Sequence, residues 1–92
     1  MQFGFDEMED QLVSVVILTW ERKEDVLAAV RSVYAQDYKN VEVIVVDNAS
    51  TDGTVTALRS AFPAIKIIVQ ERNVGAAAGR NPGIAAATGG II

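Results

Sequence analysis

Three short, nearly unbroken runs of apolar and mostly β-branched residues constrain this chain more than anything else in it. They are Val13-Ser14-Val15-Val16-Ile17-Leu18, Val41-Glu42-Val43-Ile44-Val45-Val46 and Ile65-Lys66-Ile67-Ile68-Val69. A strand with one wet face alternates apolar and polar residues; a run this continuous belongs to a strand covered on both faces, as in a parallel sheet. The segments between the runs carry a different period. Val26, Leu27, Val30, Val33 and Tyr34 recur at helical spacing and predict a helix from Lys23 to about Gln36. Val55, Leu58 and Phe62 predict a second, with Ser50, Thr51 or Asp52 available as its cap and Pro63 as its stop. The alanine-rich segment from Gly75 to Thr88 predicts a third, in which Pro82 is expected to kink or restart the helix. Gly89-Gly90 ends it, and Ile91-Ile92 read as the first residues of a fourth strand.

The order β-α-β-α-β-α, with the start of a fourth strand, implies right-handed crossovers and a three-layer, Rossmann-like α/β fold around a parallel sheet. Ninety-two residues suffice for one domain and not for two. Two residues do not make a strand, so the natural protein is expected to continue past Ile92, with residues 13–92 the N-terminal part of a larger, truncated domain. Residues 1–12 carry Asp6, Glu7, Glu9 and Asp10 with no basic residue, the wrong charge for a secretory signal, and are expected to form an acidic, flexible lead-in. No apolar block approaches the ~18–20 residues of a membrane span.

Composition removes several chemistries. Without cysteine or histidine the chain can build no disulfide, no thiolate or imidazole zinc site, and no Ser-His or Cys-His nucleophile. Its net charge is −4 and its eight basic residues are scattered, so nucleic acid is not an expected partner. What remains is carboxylate or metal chemistry.

In open α/β sheets ligands bind beyond the carboxyl ends of the strands. Those positions hold Thr19-Trp20-Glu21, Asp47-Asn48-Ala49-Ser50 and Glu71-Arg72-Asn73-Val74-Gly75. Trp20 offers a flat face to a base, against the plainer reading of a half-buried packing residue. Asp47 and Asn48 offer acceptors and an amide donor to a base edge or ribose, while the run Asn48 to Gly53 also suits turn and cap chemistry, the better reading for Asp52-Gly53. Arg72 and Arg80 could meet a diphosphate, though solvated arginines are commoner. Gly75, Gly79 and Gly83 recur every four residues, on one helix face. Close packing on the sheet suits Gly79 and Gly83, while Gly75, at the helix entry, could admit a phosphate or sugar to the backbone.

Taken together, these segments resemble the inverting family-2 glycosyltransferases of the GT-A fold. The first strand and loop, Val13 to Arg22, are similar to the family's strand followed by Thr-Tyr-Asn; Ser32-Val33-Tyr34-Ala35-Gln36 is similar to its Ser-x-x-x-Gln helix end. Glu42 to Thr54, reading EVIVVDNASTDGT, resembles a family habit of Val-Asp-Asp/Asn-Gly-Ser-Thr-Asp-Gly-Thr, and Asn73 to Ile84 resembles Asn-x-Gly-x-Ala-x-Gly/Ala-x-Asn-x-Gly-Ile. Four motifs in order, at the expected intervals from Val13 to the end, are far more specific than any one of them. Leu18, Glu21 and Ala49 depart from the family's commoner proline, asparagine and glycine, and Pro82 is a further departure.

The resemblance implies a nucleotide-diphospho-sugar donor, held by Thr19, Trp20, Glu21, Asp47, Asn48, Gly75 and Asn81. Trp20 would stand in for the stacking tyrosine and Asp47-Asn48 for the acidic pair at base and ribose. Asn48 with the Gly79-x-Asn81 form is similar to the branch containing rhamnosyl- and galactofuranosyl-type transferases. It further implies a divalent metal, Mg or Mn, bound by an acidic motif beyond Ile92, a catalytic base further on, and a glycan or lipid-linked acceptor, the chain itself binding no metal and being inactive alone. The location implied is cytoplasmic, at the inner face of the membrane in the full-length protein, in cell-surface glycan synthesis. Two other readings remain open at this point: a nucleotidyltransferase-like nucleotide-binding domain, and a non-catalytic module that self-associates through an exposed sheet edge.

Overall fold

The computed structural model describes residues 11–38 and 40–91, apart from the side chains of Ala76, Ala77 and Ile91. Of the expected lead-in 1–12, residues 1–10, with all four of its acidic side chains, lie outside them. The three apolar runs form strands β1 (Val13–Thr19), β2 (Val41–Asp47) and β3 (Lys66–Val69), and a short β4 spans Gly90–Ile91. Between them lie helices α1 (Lys23–Tyr34), α2 (Thr54–Ala61) and α3 (Ala76–Ala86). All strand pairs are parallel, in the order β3-β2-β1-β4. This is the α/β parallel-sheet fold expected from the sequence.

The sheet is covered on both faces, which is why its strands read as continuous apolar runs. On one face Val43 and Val45 of β2 pack with Val26 and Val30 of α1 and Leu58 of α2, each at most 3% exposed. Ile17, Leu27, Val33, Phe62, Ile65 and Ile67 extend that core. Side chains alternate along a strand, so Ile44 and Val46 point to the opposite face, where α3 lies. There Gly79 and Gly83 allow the close packing expected of them. A methyl on Gly83 would stand 2.6 Å from Val16 Cγ1 and 2.8 Å from Val46 Cγ2; one on Gly79 would stand 2.8 Å from Leu18 Cδ1.

One local expectation changes, at Pro82, and another narrows, from three cap candidates to Asp52. α3 runs through Pro82 without interruption. The missing N–H deprives only the carbonyl of Ala78, an exposed residue that water can serve. The α2 entry is served by Asp52, whose Oδ1 accepts the Thr54 N–H at 3.1 Å and also the Thr54 hydroxyl. Gly53 between them sits at φ +83°, a left-handed conformation natural to glycine.

At the amino end of the sheet a polar network fixes the outer strand. The Ser14 hydroxyl donates to Glu42 Oε2 at 2.6 Å and accepts the Gly89 N–H at 2.9 Å. Glu42 Oε2 also accepts the Thr88 N–H at 2.8 Å, and Glu42 Oε1 pairs with Lys66 Nζ at 2.8 Å. A single carboxylate from β2 thereby joins β1, β3 and the turn into β4. The lysine first, then the Ser14 and Thr88 hydroxyls and the Thr88 amide, hold the Glu42 carboxyl well below the ordinary carboxylate range.

Candidate functional site

The register Thr19↔Asp47 makes β1 and β2 end side by side. Their ladder continues one step further, since the Asn48 N–H donates to the Thr19 carbonyl at 2.9 Å. The Gln70 N–H donates to the Asp47 carbonyl at 2.8 Å and brings the third loop to the same end of the sheet. β1 has β2 on one side and β4 on the other. The direction of strand order therefore reverses beside the carboxyl end of β1, the position at which open α/β sheets bind ligands. Trp20 is the first residue beyond that end, with half of its surface (51%) exposed.

Asp47 is 1% exposed. One carboxylate oxygen, Oδ2, accepts the Ser50 N–H at 2.9 Å, while Oδ1 is buried with no hydrogen-bond partner. Leaving a buried acceptor unpaired costs about 1–3 kcal/mol, more where it is charged, and such atoms in native proteins call for an explanation. A donor group supplied by a ligand is the simplest one here.

The loops after β1 and β2 are fastened to each other. The Glu21 N–H donates to Ser50 Oγ at 2.8 Å. Glu21 Oε2 in return accepts the Thr51 N–H at 2.7 Å and the Thr51 hydroxyl at 2.8 Å. Two residues further along each loop, the Lys23 N–H donates to Asp52 Oδ2 at 3.1 Å. Asp52 thus satisfies the first amides of both α1 and α2, two of the orphan donors every helix start presents. Its carboxyl is held below the ordinary range, chiefly by the Thr54 hydroxyl. Within this junction Glu21 and Ala49 have φ of +52° and +68°, the positive values found at non-glycine residues among the described residues. The family resemblance places asparagine and glycine there, the two residues that adopt this conformation most readily.

Asn48, 2% exposed, ties in the loop before α3. Its Nδ2 donates to Asn73 Oδ1 at 3.1 Å and to the Gly75 carbonyl at 3.4 Å, and its Oδ1 accepts the Val74 N–H at 3.2 Å. Asn73 Oδ1 also accepts the Gly75 N–H at 2.8 Å. Gly75 sits at φ +86° with open space where a Cβ would project.

Of the seven candidate site residues, Thr19, Trp20, Glu21, Asp47, Asn48 and Gly75 therefore meet at one end of the sheet. Asn81 does not join them. It is exposed midway along α3, two residues from both Gly79 and Gly83 and so about 200° around the helix from the face on the sheet. Arg72 and Arg80 are exposed. Ser50, Thr51 and Asn73 carry junction contacts that the sequence reading assigned to no site; the signal for them lay in the motifs Asn-Ala-Ser-Thr-Asp-Gly and Asn-Val-Gly. A cleft of about 520 Å³, lined by Trp20, residues 21–25 and Asp52, opens beside this junction. No group of three or more carboxylate, histidine or cysteine side chains gathers among the described residues, so they form no all-protein cage for a divalent metal.

Comparison with known proteins bears on the family and the fold. Residues 14–92 match the family described as "Glycosyl transferase family 2". WcaA of Escherichia coli (strain K12), provisionally named a colanic acid biosynthesis glycosyl transferase, is 41% identical over 86 residues, which cover 88% of this chain and 30% of WcaA. WfgD of Escherichia coli, a UDP-Glc:alpha-D-GlcNAc-diphosphoundecaprenol beta-1,3-glucosyltransferase, is 34% identical over 92% of this chain and 34% of its own length. Among solved structures, the mannosyltransferase PcManGT from Pyrobaculum calidifontis, in complex with GDP-Man and Mn2+, superposes with a TM-score of 0.77 at 33% identity. The superposition covers 84% of this chain and 24% of that one. The chain spans between about a quarter and a third of such relatives' length.

Proposed function

The chain belongs to the family-2 glycosyltransferases, and from that premise we propose that it holds the nucleoside end of a nucleotide-diphospho-sugar donor at the carboxyl ends of β1 and β2. The observation that carries this reading is the unpaired, buried Oδ1 of Asp47, the last residue of β2, which pairs in register with Thr19, the residue before Trp20. An acceptor in that position recognises a base that presents a ring N–H: uracil, thymine or guanine. Cytosine and adenine present a ring acceptor there instead and can meet the carboxylate only through the exocyclic amine, in a shifted pose. Trp20 supplies the apolar face on which such a base stacks, an interaction worth about 1–3 kcal/mol.

The other candidates take graded parts. Thr19, Glu21 and Asn48 shape the pocket through the contacts described above, Gly75 opens a path for the diphosphate at the start of α3, and Asn81 reaches the sugar end only if the donor extends along α3. In the whole enzyme an acceptor hydroxyl attacks the anomeric carbon with inversion and a nucleoside diphosphate leaves. PcManGT carries Mn2+, and a divalent metal would serve the same diphosphate here through residues other than those described. By itself the chain binds a donor without transferring its sugar. A lipid-linked acceptor, as in the name of WfgD, supports a reaction in the cytoplasm at the inner face of a membrane; no helix among the described residues is long and apolar enough to cross one.

Calorimetric titration with nucleoside diphosphates tests this reading. UDP, GDP or dTDP should bind the chain, with CDP and ADP at least tenfold weaker. Asp47→Asn, which keeps an acceptor for Ser50 while removing the charge, should weaken the preferred diphosphate by about tenfold, the scale of one charge-assisted hydrogen bond. Equal affinity for all five, or an unaffected Asp47→Asn, contradicts it.

A further inference from the structure

We infer that Glu21 is a positioning residue, whose backbone and carboxylate lock the loop carrying Trp20 onto the loop carrying Asp47 before a nucleotide arrives. The inference rests on the proposed nucleotide site but concerns the loops alone. Three hydrogen bonds of Glu21, one given and two received, all cross to Ser50 and Thr51, some 30 residues away in sequence. A carboxylate that merely capped its own turn would bond within its own segment. Asp52 adds a second fastener through Lys23, so the segment bearing Trp20 and Arg22 is held on its far side as well.

Backbone geometry points the same way. Glu21 and Ala49 hold left-handed φ values that cost free energy in an L-residue. They lie in the two loops thus joined, next to Trp20 and Asn48, and persist only where surrounding contacts over-determine them. Asparagine at position 21 would adopt this φ more readily but has a side chain one methylene shorter. Glutamate accepts the strain and reaches Thr51. The consequence is a pre-organised indole, ordered in the free protein, so that binding does not have to order it.

Trp20 is the sole tryptophan, which makes its fluorescence a direct reporter. Time-resolved anisotropy of the unliganded chain should show little fast motion of the indole. In Glu21→Ala the amplitude of nanosecond motion should rise at least twofold, and affinity for the preferred nucleoside diphosphate should fall by about tenfold. Glu21→Gln, whose carbonyl oxygen can accept both Thr51 donors, should stay within about twofold of the original in both readouts. A contribution to global stability alone would lower the unfolding midpoint and leave the folded-state anisotropy unchanged. That outcome for Glu21→Ala, or a glutamine variant that behaves like alanine, overturns the inference. If Glu21→Ala does not fold, Ser50→Ala and Thr51→Val each remove one bond; both should give a smaller rise, and unchanged motion in both overturns it. If the unsubstituted chain binds no nucleotide, the proposed function fails while the anisotropy series still decides the role of Glu21.

Discussion

At Gly53 the backbone holds φ +83° with nothing within 4 Å of where a Cβ would project. The cost of a side chain there is therefore conformational rather than steric. Gly53→Ala should destabilise the fold by about 1 kcal/mol, read as a fall of roughly 4–8 °C in the unfolding midpoint of a domain this small. Ala49 presents the converse case, a methyl-bearing residue at φ +68°. Ala49→Gly relieves about 1–2 kcal/mol of left-handed strain and returns about 0.4–1 kcal/mol through the freer unfolded chain. The midpoint should rise slightly, by an amount equivalent to about 0.5 kcal/mol. A fall would mean that the junction imposes no strain at position 49. The strain at Glu21 and Ala49 was not legible in advance, because neither residue type signals a positive φ; only the family's preference for asparagine and glycine at these positions hinted at it.

The elements themselves were largely legible. An apolar run buried on both faces is hard to mistake when helical periodicity separates it from the next, and the observed bounds either coincide with the expected ones or differ by at most about three residues. The first helix ends at Tyr34 rather than about Gln36, and the third strand begins at Lys66 rather than Ile65. α3 was the uncertain element, since Pro82 argued for a break; its packing on the sheet through Gly79 and Gly83 outweighs one lost hydrogen bond. That packing has a measurable consequence. A methyl at Gly83 meets Val16 and Val46, two β-branched side chains that cannot swing aside. Gly83→Ala should destabilise by about 1–2 kcal/mol, overpacking exceeding the gain of about 1 kcal/mol in helix propensity. An increase in the midpoint of chemical or thermal unfolding would show that α3 does not rest on the sheet at this point.

For the whole molecule, the two ends of the sheet have different tasks. The amino end is held by Glu42, whose folded pKa lies below its unfolded value because of Lys66, Ser14 and Thr88. Its contribution to stability is complete above the unfolded pKa and drains away as pH falls from about 5. Glu42→Gln should therefore flatten the fall in unfolding midpoint between about pH 5 and pH 3, with Asp52, also lowered, accounting for part of the slope that remains. An unaltered slope contradicts this role for the network. The carboxyl end holds the candidate site. Trp20, Asp47 and Gly75 were legible as strand-end residues, but the bonds joining Glu21 to Thr51 and Asn48 to Asn73 were not, since they link segments about 25–30 residues apart and no local pattern encodes such pairings. The claim on which the account turns is that these loops bind a nucleoside diphosphate. Amide and indole chemical shifts of the 15N-labelled chain, followed while UDP, GDP and dTDP are added in turn, test it most directly. The account predicts saturable shifts concentrated at residues 19–21, 47–51 and 73–75 for at least one of the three; shifts elsewhere on the molecule, or none with millimolar nucleotide, would contradict it.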